Sequence, residues 1–299
     1  MIVTDYRRPA ALLVPFLPGY EPFDQPLRKL AERASRHNGV LLLARERKPA
    51  EEFVAGTGRP SSFRIRTAPF DTPWVRDCAP LAVARRGGFD WVFPKVTLPP
   101  DRTFDASLFA ALTRRRVSTS PIFAAQGNVV AGPRGLVLSS RTVLLENDAG
   151  PDFDFRPAKR ALGIRRWLFF PTFERELTGH ADVYVRFLSP RLIAVAESRS
   201  DAGDRRIAGR IERAVRRELP GVATIRLPLR SEDEAYASPV NWVQIGHRLF
   251  VPRYPLTTAR DVRTIGDRLG RAGYEVEFIP CDTLAQGGAL HCLSASIYV

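Results

Sequence analysis

Lysine, methionine and cysteine are scarce in this 299-residue chain: lysine occurs only at Lys29, Lys48, Lys95 and Lys159, with one methionine and three cysteines. An odd number of cysteines at scattered positions argues against a disulfide framework and fits a reducing, cytoplasmic setting. No Cys/His arrangement has the spacing of a zinc site, so neither metal nor cofactor is expected. No apolar run approaches the ~20 residues of a membrane span, and the opening MIVTDYRRPA lacks the charged-then-apolar order of a signal peptide. Low-complexity linkers are also missing, so residues 1–299 read as a single domain. The charge that is present is arginine. The net charge of +13 is spread along the chain, and its tightest cluster is Arg114-Arg115-Arg116 at the end of an expected helix. Without a stripe or a motif this predicts no specific nucleic-acid partner. A hydrophobic content of 44% is enough to bury an ordinary globular core.

What the chain does have is an internal repeat. One order recurs: an amphipathic helix, an apolar strand, a loop, then two short strands around a turn. The expected helices lie around 24–37, 105–115, 156–163, along Ile207, Ile211, Val215 and Leu219, and along Val262, Ile265 and Leu269, with Gly273 as a C-terminal cap. The strands include GVLLLA, RRWLFFP, VATIRLPL and EVEFIP. Equivalent strand-start positions are Asp77, Asn128, Asp182, Asn241 and Cys292, at intervals of 51 to 59 residues. Units that cannot bury their own apolar face must pack on neighbours, and five of them suggest a closed α/β ring. The fifth unit lacks its second strand, which ALLVPFL near the N-terminus would supply. Such closure brings the strand starts around one central pocket.

The reactive residues at those positions are Asp77 in PWVRDCAP, His180 and Asp182 in TGHADVYVRF, and Cys292 in GGALHCLS. On these segments the chain resembles the agmatine deiminase and bacterial peptidylarginine deiminase family, whose motifs W-x-R-D-x-G-P, G-H-x-D and G-G-x-x-H-C occur here in order. The resemblance runs from about residue 60 onward and includes SPVNWVQIGHRLFVPRY. It implies a five-bladed α/β propeller of the pentein type and a hydrolase acting on C–N bonds of a guanidino compound, agmatine-like or arginine-derived. A guanidinium is planar and permanently charged, so carboxylates are its natural partners. Asp77 and Asp182 would bind its nitrogens, Cys292 would attack as thiolate, and His180 would act as acid and then base. Asp71, Trp74, Asn128 and Gly288 are the further candidate substrate contacts. Asp71 reads equally well as a loop cap, and Trp74 chiefly as packing.

On a regular strand His180 and Asp182 share a face, whereas Cys78 and His291 turn away from Asp77 and Cys292. Cys78 and Cys281 are read as buried structural thiols, and His247 as a solvated turn residue. The chain departs from the family in its second unit, AAQGNVV, where Ala125 stands at the expected glutamate with Gln126 beside it; Ala79 replaces a glycine after Asp77. A carboxylate lost beside a cation forfeits about 1.5–3 kcal/mol per charge-assisted hydrogen bond. Amidino transfer, dihydrolase chemistry and a non-catalytic guanidinium-binding relative are therefore the alternatives. The partner expected is a small guanidino molecule, with a homodimer as a further possibility and no membrane.

Overall fold

The computed structural model describes residues 1–70, 72–95, 109, 117–173, 176–198, 200–232, 235–283 and 286–298. Apart from residue 109, the helix expected at 105–115 lies outside these residues, as does the candidate contact Asp71. Runs such as ALLVPF and GVLLLA are apolar on both faces and suit strands covered from both sides. They form β1 (Ala11–Phe16) and β2 (Gly39–Ala44), parallel, with Ala11 opposite Gly39. Helix α1 (Asp24–Ser35) makes the crossover and buries Leu27, Leu30, Ala31 and Ala34, a stripe at helical spacing. Between β2 and the first reactive segment stand two elements the repeat did not suggest, α2 (Arg47–Ala55) and β3 (Phe63–Thr67), the latter parallel to β2.

Four further units follow one pattern, an antiparallel pair and then a parallel strand. After the short helix α3 (Val75–Cys78), β4 (Leu81–Arg85) and β5 (Gly88–Lys95) pair antiparallel, and β6 (Val117–Phe123) joins β5 parallel. Next come β7 (Val130–Ala131) and β8 (Leu136–Ser140), then the helices α4 (Thr142–Glu146) and α5 (Arg156–Leu162), and β9 (Arg166–Phe170) parallel to β8. The third set is β10 (Val185–Ser189), β11 (Leu192–Ser198), helix α6 (Ala202–Glu218), β12 (Ala223–Glu232) and β13 (Ala235–Ala237). The fourth is β14 (Val243–Ile245), β15 (Arg248–Arg253), helix α7 (Ala259–Arg271) and β16 (Glu275–Pro280). Helix α7 starts at a capping box, in which the Thr258 hydroxyl accepts from Asp261 N and the Asp261 carboxylate from Thr258 N. It ends before Gly273, whose φ of +86° is the left-handed conformation that favours glycine.

The last strand, β17 (Ala295–Ile297), pairs antiparallel with β1, Ala11 opposite Ile297. Strands from opposite ends of the chain thus share the fifth sheet, in the order β17-β1-β2-β3. The segments that precede the five antiparallel pairs are joined in a cycle. Gly127 N donates to Asp77, Ala181 N to the Asn128 side chain, and the Ser238 hydroxyl to Val183 O. His291 N donates to the Asn241 side chain, and Arg76 N donates to Cys292 O, which closes the loop. Among the described residues no helix is long and apolar enough to cross a membrane.

Candidate active site

The cycle does not present its reactive residues from strands. Asp77 lies in α3, Gln126–Asn128 and Ala181–Val183 are single 3-10 turns, and Cys292 sits in a turn ahead of β17. A helical turn places neighbouring side chains about 100° apart rather than on opposite faces. This corrects the expected orientation of His291. Its ring is buried, with Nδ1 2.6 Å from Asp182 Oδ2. Cys78, in α3 rather than on a strand, is buried in the core as a structural thiol should be. Cys281 is buried likewise, and burial pushes its pKa up to about 11.

Asp77, His180, Asp182 and Cys292 converge. Cys292 Sγ is 3.6 Å from Asp182 Oδ2, and His180 Nδ1 is 3.4 Å from Asp77 Oδ1. Gly127 lies among them: a Cβ there would fall 2.8 Å from Asp77 Oδ1, 3.0 Å from His180 Nδ1 and 3.3 Å from Asp182 Oδ2. The thiol also accepts a hydrogen bond from Asn241 Nδ2 at 3.2 Å. Asn241 Oδ1 accepts from the backbone of both His291 and Cys292, so one amide fixes the turn and the sulfur together.

The charges are unevenly settled. Burial raises the Cys292 pKa well above the ordinary thiol value, and Asp182 and Asp77 add to the rise. Asp77 is itself raised by burial, with Asp182 contributing. Burial would raise Asp182 too, but its bond and charge interaction with His291 outweigh that and keep it ionised. Burial opposes the charged form of His180, yet Asp77, Asp182, Glu176 and Glu146 together lift its pKa above the usual imidazole value. Asp182 Oδ1 is buried with no hydrogen-bond partner. A free carboxylate oxygen in an acidic surround, beside an imidazole whose pKa is raised, is arranged to receive a cation with donors to spare.

The other expected contacts are placed differently. Asn128 is buried and engaged in internal bonds: its Oδ1 accepts from Ser140 N and Ala181 N, and its Nδ2 donates to Ser140 Oγ. It joins two units of the ring. Trp74 is buried edge-on against Phe23, with ring centroids 5.3 Å apart, and its indole lies over Gly288, where a Cβ would come within 2.6 Å of it. Gly288 in turn allows this packing beside Cys292 and lines a narrow pocket with Glu176, Tyr236, Ser238, Asn241 and Tyr254. Ala125 is buried, and Gln126 points to Arg76 and to Pro80 O rather than to His180.

A carboxylate from another segment, Glu176, borders the same pocket. Glu176 accepts from Thr178 N and Oγ1 and from Gly179 N, while Thr178 Oγ1 accepts from His180 N. The same carboxylate thus shapes the turn that carries His180 and borders the pocket. Motif reasoning missed Glu176, Gly127 and Asn241 as site residues, although Asn241 was legible as the fourth equivalent of Asp77. Among the described residues no cluster of His, Cys, Asp and Glu is disposed to hold a metal ion.

Comparison with known proteins agrees with this architecture. The C. jejuni agmatine deiminase superposes with a TM-score of 0.83 at 17% identity, covering 100% of this chain and 96% of that one. The Enterococcus faecalis agmatine deiminase gives 0.79 at 13% identity, with 99% and 95% covered. DDAH from Pseudomonas aeruginosa gives 0.56 at 11% identity, with 97% and 100% covered. These likenesses show a shared fold. A sequence search of curated proteins finds no match. The family model for Porphyromonas-type peptidyl-arginine deiminase matches residues 16–297, a span holding all four converging side chains, and the chain belongs to that family.

Proposed function

We propose that the protein is a cysteine-dependent hydrolase that converts a guanidino compound to a ureido product and ammonia. The observation that carries this is the convergence of Asp77, His180 and Asp182 around Gly127, with Cys292 Sγ 3.6 Å from Asp182 and Asp182 Oδ1 left unpartnered beside a thiol held neutral. A similar protein, the C. jejuni agmatine deiminase, has been solved as a cysteine-to-serine variant with substrate bound. In a chain of net charge +13 this acidic centre is a local exception, suited to a cation.

The resting thiol is suppressed chiefly by burial and then by two carboxylates. A guanidinium lying between Asp77 and Asp182 neutralises the second cause, and an opposite charge at ~4–6 Å lowers a pKa by about 1–3 units. The substrate thereby helps to create the thiolate, the thiol proton passing to water and ending on the released ammonia as ammonium, with Asn241 donating to the sulfur. Sulfur attacks the central carbon and a C–S bond forms. His180 gives its proton to one nitrogen, which leaves as ammonia, and the thiouronium remains. Neutral His180 then takes a proton from water as the oxygen adds to the same carbon. Collapse breaks the C–S bond and releases the ureido product and the thiol. One water is consumed and one ammonia released per turnover.

The test is a panel of guanidino compounds assayed for ureido product and ammonia, with Cys292→Ala beside the unaltered chain. Turnover of at least one compound, abolished in the variant, is expected. Equal turnover by Cys292→Ala refutes the assignment.

A further inference from the structure

The converging residues use only one edge of His291, and the other edge faces a residue from the far end of the chain. Residues ahead of β1 extend the sheet of β4. Val3 N donates to Ala82 O at 2.7 Å, Ala84 N donates to Met1 O at 2.8 Å, and Ile2 bridges Val83. This edge delivers Asp5 beneath the site. Asp5 Oδ2 lies 3.2 Å from Arg186 Nη2 and 3.4 Å from His291 Nε2, and Oδ1 lies 3.5 Å from Arg76 Nη1. Both arginines are buried, Arg186 to 1% exposure and Arg76 to 4%. Arg76 also donates through Nε to His291 O and through its backbone N to Cys292 O. Arg186 donates to Trp242 O, in the segment that follows Asn241.

His291 therefore stands between two carboxylates, bonded to Asp182 through Nδ1, while Nε2, 3.4 Å from Asp5 Oδ2, is buried with no hydrogen-bond partner. Ionised Asp182 is acceptor-only, so Nδ1 carries the hydrogen of the 2.6 Å bond. That bond takes up Oδ2 and leaves Oδ1 free for substrate. Which oxygen is free depends on where the ring stands, and Asp5 with its two arginines occupies the far side of the ring. We infer that Asp5 is a positioning residue of the catalytic centre, acting through His291 to hold Asp182 with Oδ1 toward the substrate cation. Neither Asp5 nor His291 touches the reacting carbon in this arrangement. The inference rests on the deiminase reading of the site, because it presumes that Asp182 receives a guanidinium.

A probe of Asp182 that needs no turnover is the charge preference of Cys292. Chloroacetamidine carries an amidinium that Asp182 recognises, whereas iodoacetamide is neutral. The ratio of their inactivation rates, with the modified cysteine identified by mass spectrometry, reports how Asp182 is aimed. In the full chain, Asp5→Asn is expected to lower this ratio at least tenfold and Asp5→Glu to restore it toward the original value. His291→Asn is expected to lower it equally, and Asp5→Asn in that background to lower it no further. A folded Asp5→Asn variant with the original ratio overturns the inference, as do additive losses in the double variant. Should Asp5→Asn fail to fold, an original ratio in His291→Asn overturns it equally. An unaltered chain with no preference for the amidinium at all refutes the deiminase reading itself, and with it this inference.

Discussion

Replacing Gly127 by alanine is the sharpest available perturbation of the centre. Gly127 is not in the left-handed region, so the backbone accepts alanine without strain. The methyl group has no room: its three nearest neighbours are Asp77 Oδ1, His180 Nδ1 and Asp182 Oδ2, at 2.8, 3.0 and 3.3 Å. Ordinary contact begins at about 3.5 Å, so the first two groups must retreat by about half an ångström or more. Each belongs to the proposed acid, base or binding machinery, and a misplacement of about 1 Å can cost on the order of 10²-fold in rate. Overpacking also costs about 1–3 kcal/mol of stability, which is distributed over a ring hydrogen-bonded at many other points. Gly127→Ala is therefore expected to remain folded while kcat/KM for the best guanidino compound falls about 30- to 100-fold, measured by ureido-product formation alongside thermal unfolding. A folded Gly127→Ala protein with unchanged kcat/KM shows that these three side chains do not act on one substrate, and the proposed geometry fails.

Asn241→Ala removes the hydrogen bond to Cys292 Sγ, so the thiol pKa rises further. The pH profile of alkylation should move upward, and an unmoved profile would exclude a role for this amide in stabilising the thiolate. Asp5 and Asp182 both have folded pKa values below the ordinary carboxylate value. Their contribution to stability is present above the unfolded value of ~3.9 and is lost as pH falls toward the folded values. The destabilisation of Asp5→Asn relative to the unaltered chain should accordingly be greatest near neutrality and shrink below about pH 4 in urea titrations; a constant gap contradicts this. Tyr184→Phe deletes a buried hydroxyl that accepts from Phe173 N at 2.7 Å. The orphaned N–H should cost about 1–3 kcal/mol, seen as a lower denaturation midpoint, and full stability would mean that the amide finds another partner.

Much of this molecule is written locally, and the rest depends on contacts no local pattern encodes. Helices α1, α6 and α7 follow from apolar spacing and from caps such as Thr258, and the pairing of β1 with β17 follows from counting strands per unit. Helix α2 did not stand out because only Ala50 is buried on it, so it carries almost no apolar stripe. Strand β3 shows one fully buried residue in five, which is the weak alternation of a sheet edge. His291 was misjudged because strand alternation was applied to a turn. The loss of the family glutamate is visible at Ala125, but the placing of Glu176 beside the pocket is a matter of loop conformation. Asp5 is the extreme case, since its partners Arg76, Arg186 and His291 are joined to it only by the closed ring.

The pairing of β1 with β17 sets the order in which this catalyst can come into being. Closing a loop of some 280 residues costs on the order of 5 kcal/mol in chain entropy by the (3/2)RT ln n relation, and that cost falls due before the last strand contributes anything. On the ribosome the first four units can condense while the polypeptide grows, but the sheet begun by β1 stays unfinished until the final segment emerges. The segment just ahead of β17 carries Cys292, the proposed nucleophile, and the segment ahead of β1 carries Asp5. A nascent or clipped chain therefore exposes no partly competent thiol, because assembly and chemical competence arrive together.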